Sequence, residues 1–276
     1  MTHQRPLDGG GMAMSKPHGT KDFWLAGFRA EGTAFRAAVS QPGALDAAVP
    51  TCPEWTVLDL VHHLGCVYEF VQSHVTRGVT APPQRRSREI EAQLRTAGEL
   101  PAADAAVAWW DDRYATVLRT LEAVDPDLPA WNWAPQAKKA GFWHRRMAHE
   151  TAVHRWDAQI AVGLTDPIET KLAADGITEV LDTWLPAGRR RGPRDRTGIV
   201  ALRATDIEQE WHVRLRGEGI ALLDTNTLFD DDAHQHERAI AAGTASDLLL
   251  ALYGRVSFEV LDLAGDQRLI EALRTG

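Results

Sequence analysis

The chain has 276 residues, 44% hydrophobic and 25% charged, the composition of an ordinary globular protein long enough to bury a sizeable core. Its 30 Lys+Arg against 38 Asp+Glu leave a net charge of −8, which argues against an electrostatically driven nucleic-acid binder. No run approaches the ~18 apolar residues of a membrane span, and two cysteines, Cys52 and Cys66, suit a reducing cytoplasm rather than a disulfide framework. Ten tryptophans against three tyrosines point to large indoles that line a pocket or lock helices together.

Residues 1–21 are Gly-, Pro- and Met-rich without the apolar stretch of a secretory signal, and read as a disordered extension. Helical periodicity then runs from Asp22 to Val39 through Trp24, Phe28 and Phe35. Pro50 and Pro53 keep the next stretch extended. Thr56 is placed to cap a second helix that reaches about Thr76, with Asp59 at the capping-box position. Arg85 to Glu91 read as a loop or a solvated helix start. A third helix spans Ala103 to Ala123 and a fourth Gly141 to about Val162. Four amphipathic helices make a compact bundle over residues 22–165.

The pattern changes after Gly163. A helix from Lys171 to Trp184 leads into the basic loop Arg189 to Arg194. Trp211 to Arg216 alternates in the manner of a half-buried strand, and Gly217-Glu218-Gly219 turns it back through Ile220 to Leu223. Asp230 to Asp232 form an acidic loop without calcium-site spacing. Thr244 or Ser246 starts a helix through Tyr253, Phe258 to Val260 read as a last strand, and Gln267 to Leu273 as a last helix. Residues 166–276 thus form a small α+β domain, and the fold class is α+β.

The chemistry lies on the second and fourth helices. On a helical wheel Glu150 and His154 fall at about 300° and about 340° on the most apolar face of the fourth helix, and His149 at about 200° on the other side. A carboxylate on a core-facing stripe must be protonated, ion-paired or bound to a cation. On the second helix His63 flanks the apolar stripe and His62 faces away towards solvent, while His74 lies about 16 Å along the axis, too far to join. His63, Glu150 and His154 would make a three-ligand metal site with one open position, zinc by ligand type. Glu150 paired with Arg146 or Arg155 is the structural alternative. Asp157 reads as a surface partner of Arg155 or as a support for His154. Trp55, Trp143 and Trp156 read as core or pocket wall, and Cys52 has no evident activating base.

Three segments carry a resemblance. VPTCPEWTVLDLVHHLG over residues 49–65, RRMAHETAVHRWDA over 145–158 and SDLLLALYGR over 246–255 resemble the mycothiol-dependent maleylpyruvate isomerase family. The resemblance implies a DinB-like four-helix bundle followed by a small α+β domain. It also implies a divalent metal, usually zinc, held by His63, Glu150 and His154, and a mycothiol-like thiol as co-substrate. By motif Arg255 corresponds to an arginine near the site, with the expected role of holding a substrate carboxylate. The implied function is cis–trans isomerisation of a maleylpyruvate-type dicarboxylate, or thiol S-transfer. The alternatives are a metal Lewis-acid enzyme of a biosynthetic pathway without thiol, and a non-catalytic metal-binding or stress-response module. The expected partners are a small anionic substrate and the thiol, with no nucleic acid or membrane, and the expected location is cytoplasmic. The sequence leaves the oligomeric state open.

Overall fold

A computed structural model describes residues 19–223 and 238–276. Most of the N-terminal extension and the acidic loop Asp230 to Asp232 lie outside the described residues. Five helices make up the N-terminal part: α1 (Lys21–Val39), α2 (Val57–Val75), α3 (Ser87–Ala97), α4 (Ala103–Ala123) and α5 (Gly141–Ala161). Thr20, read as part of the extension, caps α1 by accepting from the Phe23 N–H. The reciprocal capping box on α2 forms between Thr56 and Asp59 as its spacing predicts.

Helix α1 packs along α5, and α2 packs on α4 and α5, so α1, α2, α4 and α5 form the bundle. The stacked pair Trp110–Tyr114 and the edge-on pair Phe28–Tyr68 fill its centre. The short α3 takes the helix-start alternative for Arg85 to Glu91 and begins at Ser87. Ile90 is buried and Leu94 packs beside it one turn later, enough apolar contact to lay this otherwise charged segment on α2.

The C-terminal part begins with α6 (Thr170–Glu179), which continues as a wider turn over Val180–Trp184. Strands β1 (Thr197–Ala204), β2 (Gln209–Arg216), β3 (Gly219–Leu223), β4 (Arg238–Gly243) and β5 (Asp262–Gly265) form one mixed sheet in the order β3-β2-β1-β4-β5. The β2–β3 hairpin closes with Arg216 opposite Gly219, and Gly217 takes the left-handed conformation (φ 65°) that suits glycine. Strand β4 runs parallel to β1, and the other neighbours are antiparallel.

Helix α7 (Ala245–Leu252) packs on α6, and α8 (Gln267–Glu271) on the sheet. Thr244 is the cap of α7; Ser246 instead accepts from the Ile168 N–H and ties the helix to the inter-domain segment. Phe258–Val260 is a 3₁₀ turn, and the last strand begins two residues later. Phe258 anchors this turn in the core, and so the pairing edge falls to Asp262–Gly265. No helix among the described residues is long and apolar enough to cross a membrane.

Helix α5 lies enclosed between the rest of the bundle and the C-terminal part. Nearly every residue from Trp143 to Gln159 is buried, because α1 and α2 cover one side and α6 the other. A helix with polar residues on a fully enclosed surface must satisfy them internally.

Candidate metal centre

On the α2-facing side of α5 the wheel positions converge. His63 Nε2 lies 3.3 Å and His154 Nε2 3.6 Å from Glu150 Oε1, so both imidazoles flank the same carboxylate oxygen. The ligand atoms of His63, Glu150 and His154 all lie within 4.8 Å of one another. The two imidazole rings sit 5.0 Å apart at 74°, with the Trp55 ring 5.2 Å from His63. Glu150 keeps a side-chain exposure of 18%, so the group faces a cavity rather than the sealed core.

Each imidazole is held from behind by a carboxylate. His154 Nδ1 donates to Asp157 Oδ2 at 2.9 Å, which leaves the Nε2 lone pair pointing at Glu150. His63 Nδ1 faces Glu91 Oε2 at 3.6 Å across the α2–α3 contact. Arg146 binds the other Glu150 oxygen, Oε2, at 2.9 Å. Arg146 is in turn paired with Glu179 on α6 and with the Tyr253 hydroxyl, 3.2 Å away. The Arg146–Glu150 pair offered as the structural alternative therefore exists, but it occupies only one carboxylate oxygen.

Electrostatics follow this geometry. Burial pulls the His63 imidazole down, but hydrogen bonds and charge from Glu150 and Glu91 outweigh it and push its pKa up to about 9. Burial works against the ionised form of Glu150, yet the Arg146 charge and the two imidazoles hold its carboxyl well below the usual carboxylate range. The cluster thus carries fixed negative charge that draws a proton, or a cation in its place, to the imidazole side.

Asp157 is fully buried rather than a surface partner of Arg155. Arg155 pairs with Glu31 on α1 at 2.6 Å, and Asp157 turns the other way. It accepts from His154, from the Thr51 hydroxyl at 2.5 Å, and from Arg255 through Nε (3.0 Å) and Nη2 (2.9 Å). Arg255 also donates to the Tyr253 carbonyl and faces Cys52 Sγ at 3.7 Å. Four of its five N–H groups are thereby engaged. Cys52, next to Asp157, is no activated thiol: burial and the Asp157 charge push its pKa up to about 11.

A cavity of about 700 Å³ opens over the triad. Five of the ten tryptophans border it: Trp55, Trp131, Trp133, Trp143 and Trp184. Trp156 stays in the core. The cavity takes residues from both halves of the chain, with Arg189, Tyr253 and Arg255 from the C-terminal part.

His62 does not face solvent. It is 5% exposed, with Nε2 3.0 Å from the Pro101 carbonyl and its ring edge-on to Trp109. The α3–α4 connection covers the face that the wheel assigns to water. His74 bonds the Phe70 carbonyl among Trp131 and Trp143, away from the triad as its spacing requires. Sequence reasoning missed Glu91 and Glu179, and placed Arg189 only in a basic loop that hints at anionic ligands without locating it at the site. All three reach the site through contacts between distant elements, which no local period records.

Residues 25–159 match the family model described as the mycothiol maleylpyruvate isomerase N-terminal domain, and residues 171–272 match the MDMPI C-terminal domain. Two crystal structures of the mycothiol-dependent maleylpyruvate isomerase are similar to this chain, one of them a histidine-to-alanine mutant. The mutant superposes with a TM-score of 0.63 and the other with 0.61, each at 13% identity over 91% of this chain and 96% of the other. That likeness establishes the shared fold. No curated protein matches the chain significantly. With both domain models matched in order along most of its length, the chain belongs to the mycothiol-dependent maleylpyruvate isomerase family.

Proposed function

We propose that the protein is a metal-dependent enzyme that uses a low-molecular-weight thiol of the mycothiol type on a small anionic substrate. The reaction is cis–trans isomerisation of a maleylpyruvate-type unsaturated dicarboxylate, or transfer of the thiol to a related electrophile. The observation that carries this reading is the convergence of His63, Glu150 and His154 at the floor of a large cavity. Two imidazole nitrogens and one carboxylate oxygen are the donor set of a three-ligand zinc site with an open position. Asp157 and Glu91 stand where the carboxylates of carboxylate–histidine–metal arrangements stand, which supports the fit. When bound there, a divalent cation would supply Lewis acidity and lower the pKa of a nearby thiol towards neutrality.

The chain's own residues have separable roles in this scheme. Asp157 fixes the His154 tautomer, and Arg146 pins Glu150 so that only Oε1 faces the centre. The tryptophan wall keeps water from the reacting atoms. In the isomerisation, thiol sulfur adds to the conjugated double bond, the resulting single bond rotates, and elimination returns the thiol with the trans product. Arg255, expected to hold a substrate carboxylate, keeps one N–H for that purpose; its larger part is to position Asp157.

Metal content of the wild type and of His63→Ala, Glu150→Ala and His154→Ala tests the reading. About one zinc per chain, lost in all three folded variants, is the expected result. A wild type that stays metal-free after purification without chelator and with added zinc overturns it. Thiol consumption then separates the two reactions: an isomerase returns its thiol, and a transferase uses one per product.

A further inference from the structure

The cavity is far more cationic than the protein around it. Six arginines border it, Arg86, Arg88, Arg146, Arg189, Arg191 and Arg255, against two side-chain carboxylates, Glu89 and Glu150, in a chain of net charge −8. These arginines fall into two sets. Arg146 and Arg255 are buried in the floor and paired with Glu150, Glu179 and Asp157. Among the described residues, Arg86, Arg88, Arg189 and Arg191 have no carboxylate partner within ion-pair distance.

Aromatic rings hold two of the second set, Arg86 and Arg189. The Arg189 guanidinium lies 3.8 Å from the Trp133 ring centroid and 5.3 Å from that of Trp184, and the Arg86 guanidinium 5.1 Å from Trp131. Stacking of this kind leaves the edge of a guanidinium, with its forked donors, free to meet an anion. Along the extended loop Arg190 turns away, donating to the Gly217 carbonyl at 2.8 Å, so its two neighbours share the cavity side. Burial lowers the Arg189 pKa, the charges of Arg146, Arg88 and Arg86 lower it further, and Glu150 opposes them. Like charges that outnumber the carboxylates around them are unfavourable, and a bound anion relieves that repulsion.

We infer that Arg86, Arg88, Arg189 and Arg191 form an anion subsite at the cavity rim, which holds the doubly charged end of a ligand whose flat, conjugated part lies against the tryptophan wall. The inference rests on the reading of this cavity as a small-molecule site and adds a substrate class to it. With most donors of Arg255 engaged, the rim takes over the task of holding substrate charge, and it selects electrophiles that carry a dianionic end. A neutral thiol gains nothing from these charges.

Calorimetric titration of the full chain with 2-naphthyl phosphate, naphthalene-2,3-dicarboxylate, 2-naphthoate and 2-naphthol tests the subsite. At least one dianion is expected to bind about tenfold or more tighter than 2-naphthol. Whichever dianion binds tighter names the terminus as a phosphate or a paired carboxylate. The exposed pair Arg88→Gln with Arg189→Gln is expected to remove that advantage and leave 2-naphthol unchanged. Arg77→Gln with Arg119→Gln, the same charge change outside the cavity, is expected to bind as the wild type does. Equal binding of dianion and 2-naphthol, no binding of either dianion, or a double variant that binds like the wild type overturns the subsite. Repeating the titration after chelation separates this from the metal centre. Dianion selectivity in a protein that takes up no zinc sinks the metal reading alone, and a zinc-loaded protein without selectivity sinks the subsite alone.

Discussion

The two sides of α5 carry the same residue types and use them in opposite ways. On the α6 side, Asp175 Oδ2 accepts from the Trp24 indole (2.8 Å), from Arg145 Nε (3.0 Å) and from His149 Nε2 (2.8 Å), while Arg145 also reaches Asp182 at 2.9 Å. There donors converge on an acceptor, and His149, Asp175 and Arg145 are buried. On the α2 side the Nε2 atoms of His63 and His154 both converge on one carboxylate oxygen of Glu150, and a cavity opens above them. Residue type alone therefore does not mark the functional side. What distinguishes the sides is whether a carboxylate is closed in by buried donors or meets two imidazoles beneath an open cavity that a cation can enter.

That contrast can be broken most sharply at the triad. Glu150→Ala or His154→Ala is expected to abolish metal uptake and thiol-dependent turnover without lowering Tm as Asp175→Ala does. Asp175→Ala removes the shared acceptor of Arg145 Nε, His149 and the Trp24 indole from the core, although Arg145 keeps Asp182, so a loss of about 3–5 kcal/mol is expected in denaturant unfolding. Metal uptake per folded chain should be unchanged in that variant. If the Glu150 variant melts like the Asp175 variant and the wild type holds no metal, both sides of α5 are structural.

A second pair of changes grades the effect. Asp157→Asn and Arg255→Ala act on the support of His154, and metal affinity is expected to fall about 10–100-fold for the first. Arg255→Ala should weaken metal binding less, since His154 keeps its bond to Asp157. Full metal affinity with a raised KM would instead return Arg255 to direct contact with the substrate.

Acid acts on depressed carboxylates on both sides, and the α6 share can be isolated at Asp175. The Arg145 and His149 bonds hold the Asp175 carboxyl below the ordinary carboxylate range, despite burial. Its folded pKa is depressed, so this stability is present above the unfolded value of about 3.9 and is lost as pH falls below it. Unfolding followed between pH 6 and 3 should show a shallower pH slope in Asp175→Asn than in the wild type.

The smallest effect concerns Cys52. With its pKa pushed up to about 11, the thiol is protonated at neutral pH. Alkylation by iodoacetamide should be slow at pH 7.5 and accelerate as pH rises towards 11. Because the fold favours the neutral thiol, its contribution to stability is complete below about pH 8.5 and is lost at higher pH. Cys52→Ser is expected to change turnover by less than about twofold.

Much of the frame is legible along the chain. The spacing of apolar residues marks α1, α2, α4 and α5, the Thr56–Asp59 box marks the start of α2, and the glycine turn marks the β2–β3 hairpin. Helical phase also puts Glu150 and His154 on one face and His63 on the flank of α2, because an i, i+4 relation needs no tertiary information. These are local properties, set by a few covalently linked neighbours.

The rest required the fold. His62 looks like a solvated residue on a wheel and His149 lies off the apolar face, yet both are buried, because a wheel does not show the elements that cover its far side. Phe258–Val260 alternates like a strand but is a 3₁₀ turn, since pairing partners rather than pattern decide which residues join a sheet edge. Glu91 behind His63, the 98-residue step from Asp157 to Arg255, and Arg189 stacked on Trp133 all join groups from separate elements. By itself the sequence determined the long helices, the β2–β3 hairpin, the family and the choice of three candidate ligands, because these depend on order and local spacing. Strands β1, β4 and β5 emerged only with their pairing partners. Only the tertiary structure decided which side of α5 stays open, which arginines are paired and which face the cavity without a counter-charge, because burial and charge balance depend on everything that packs around a residue.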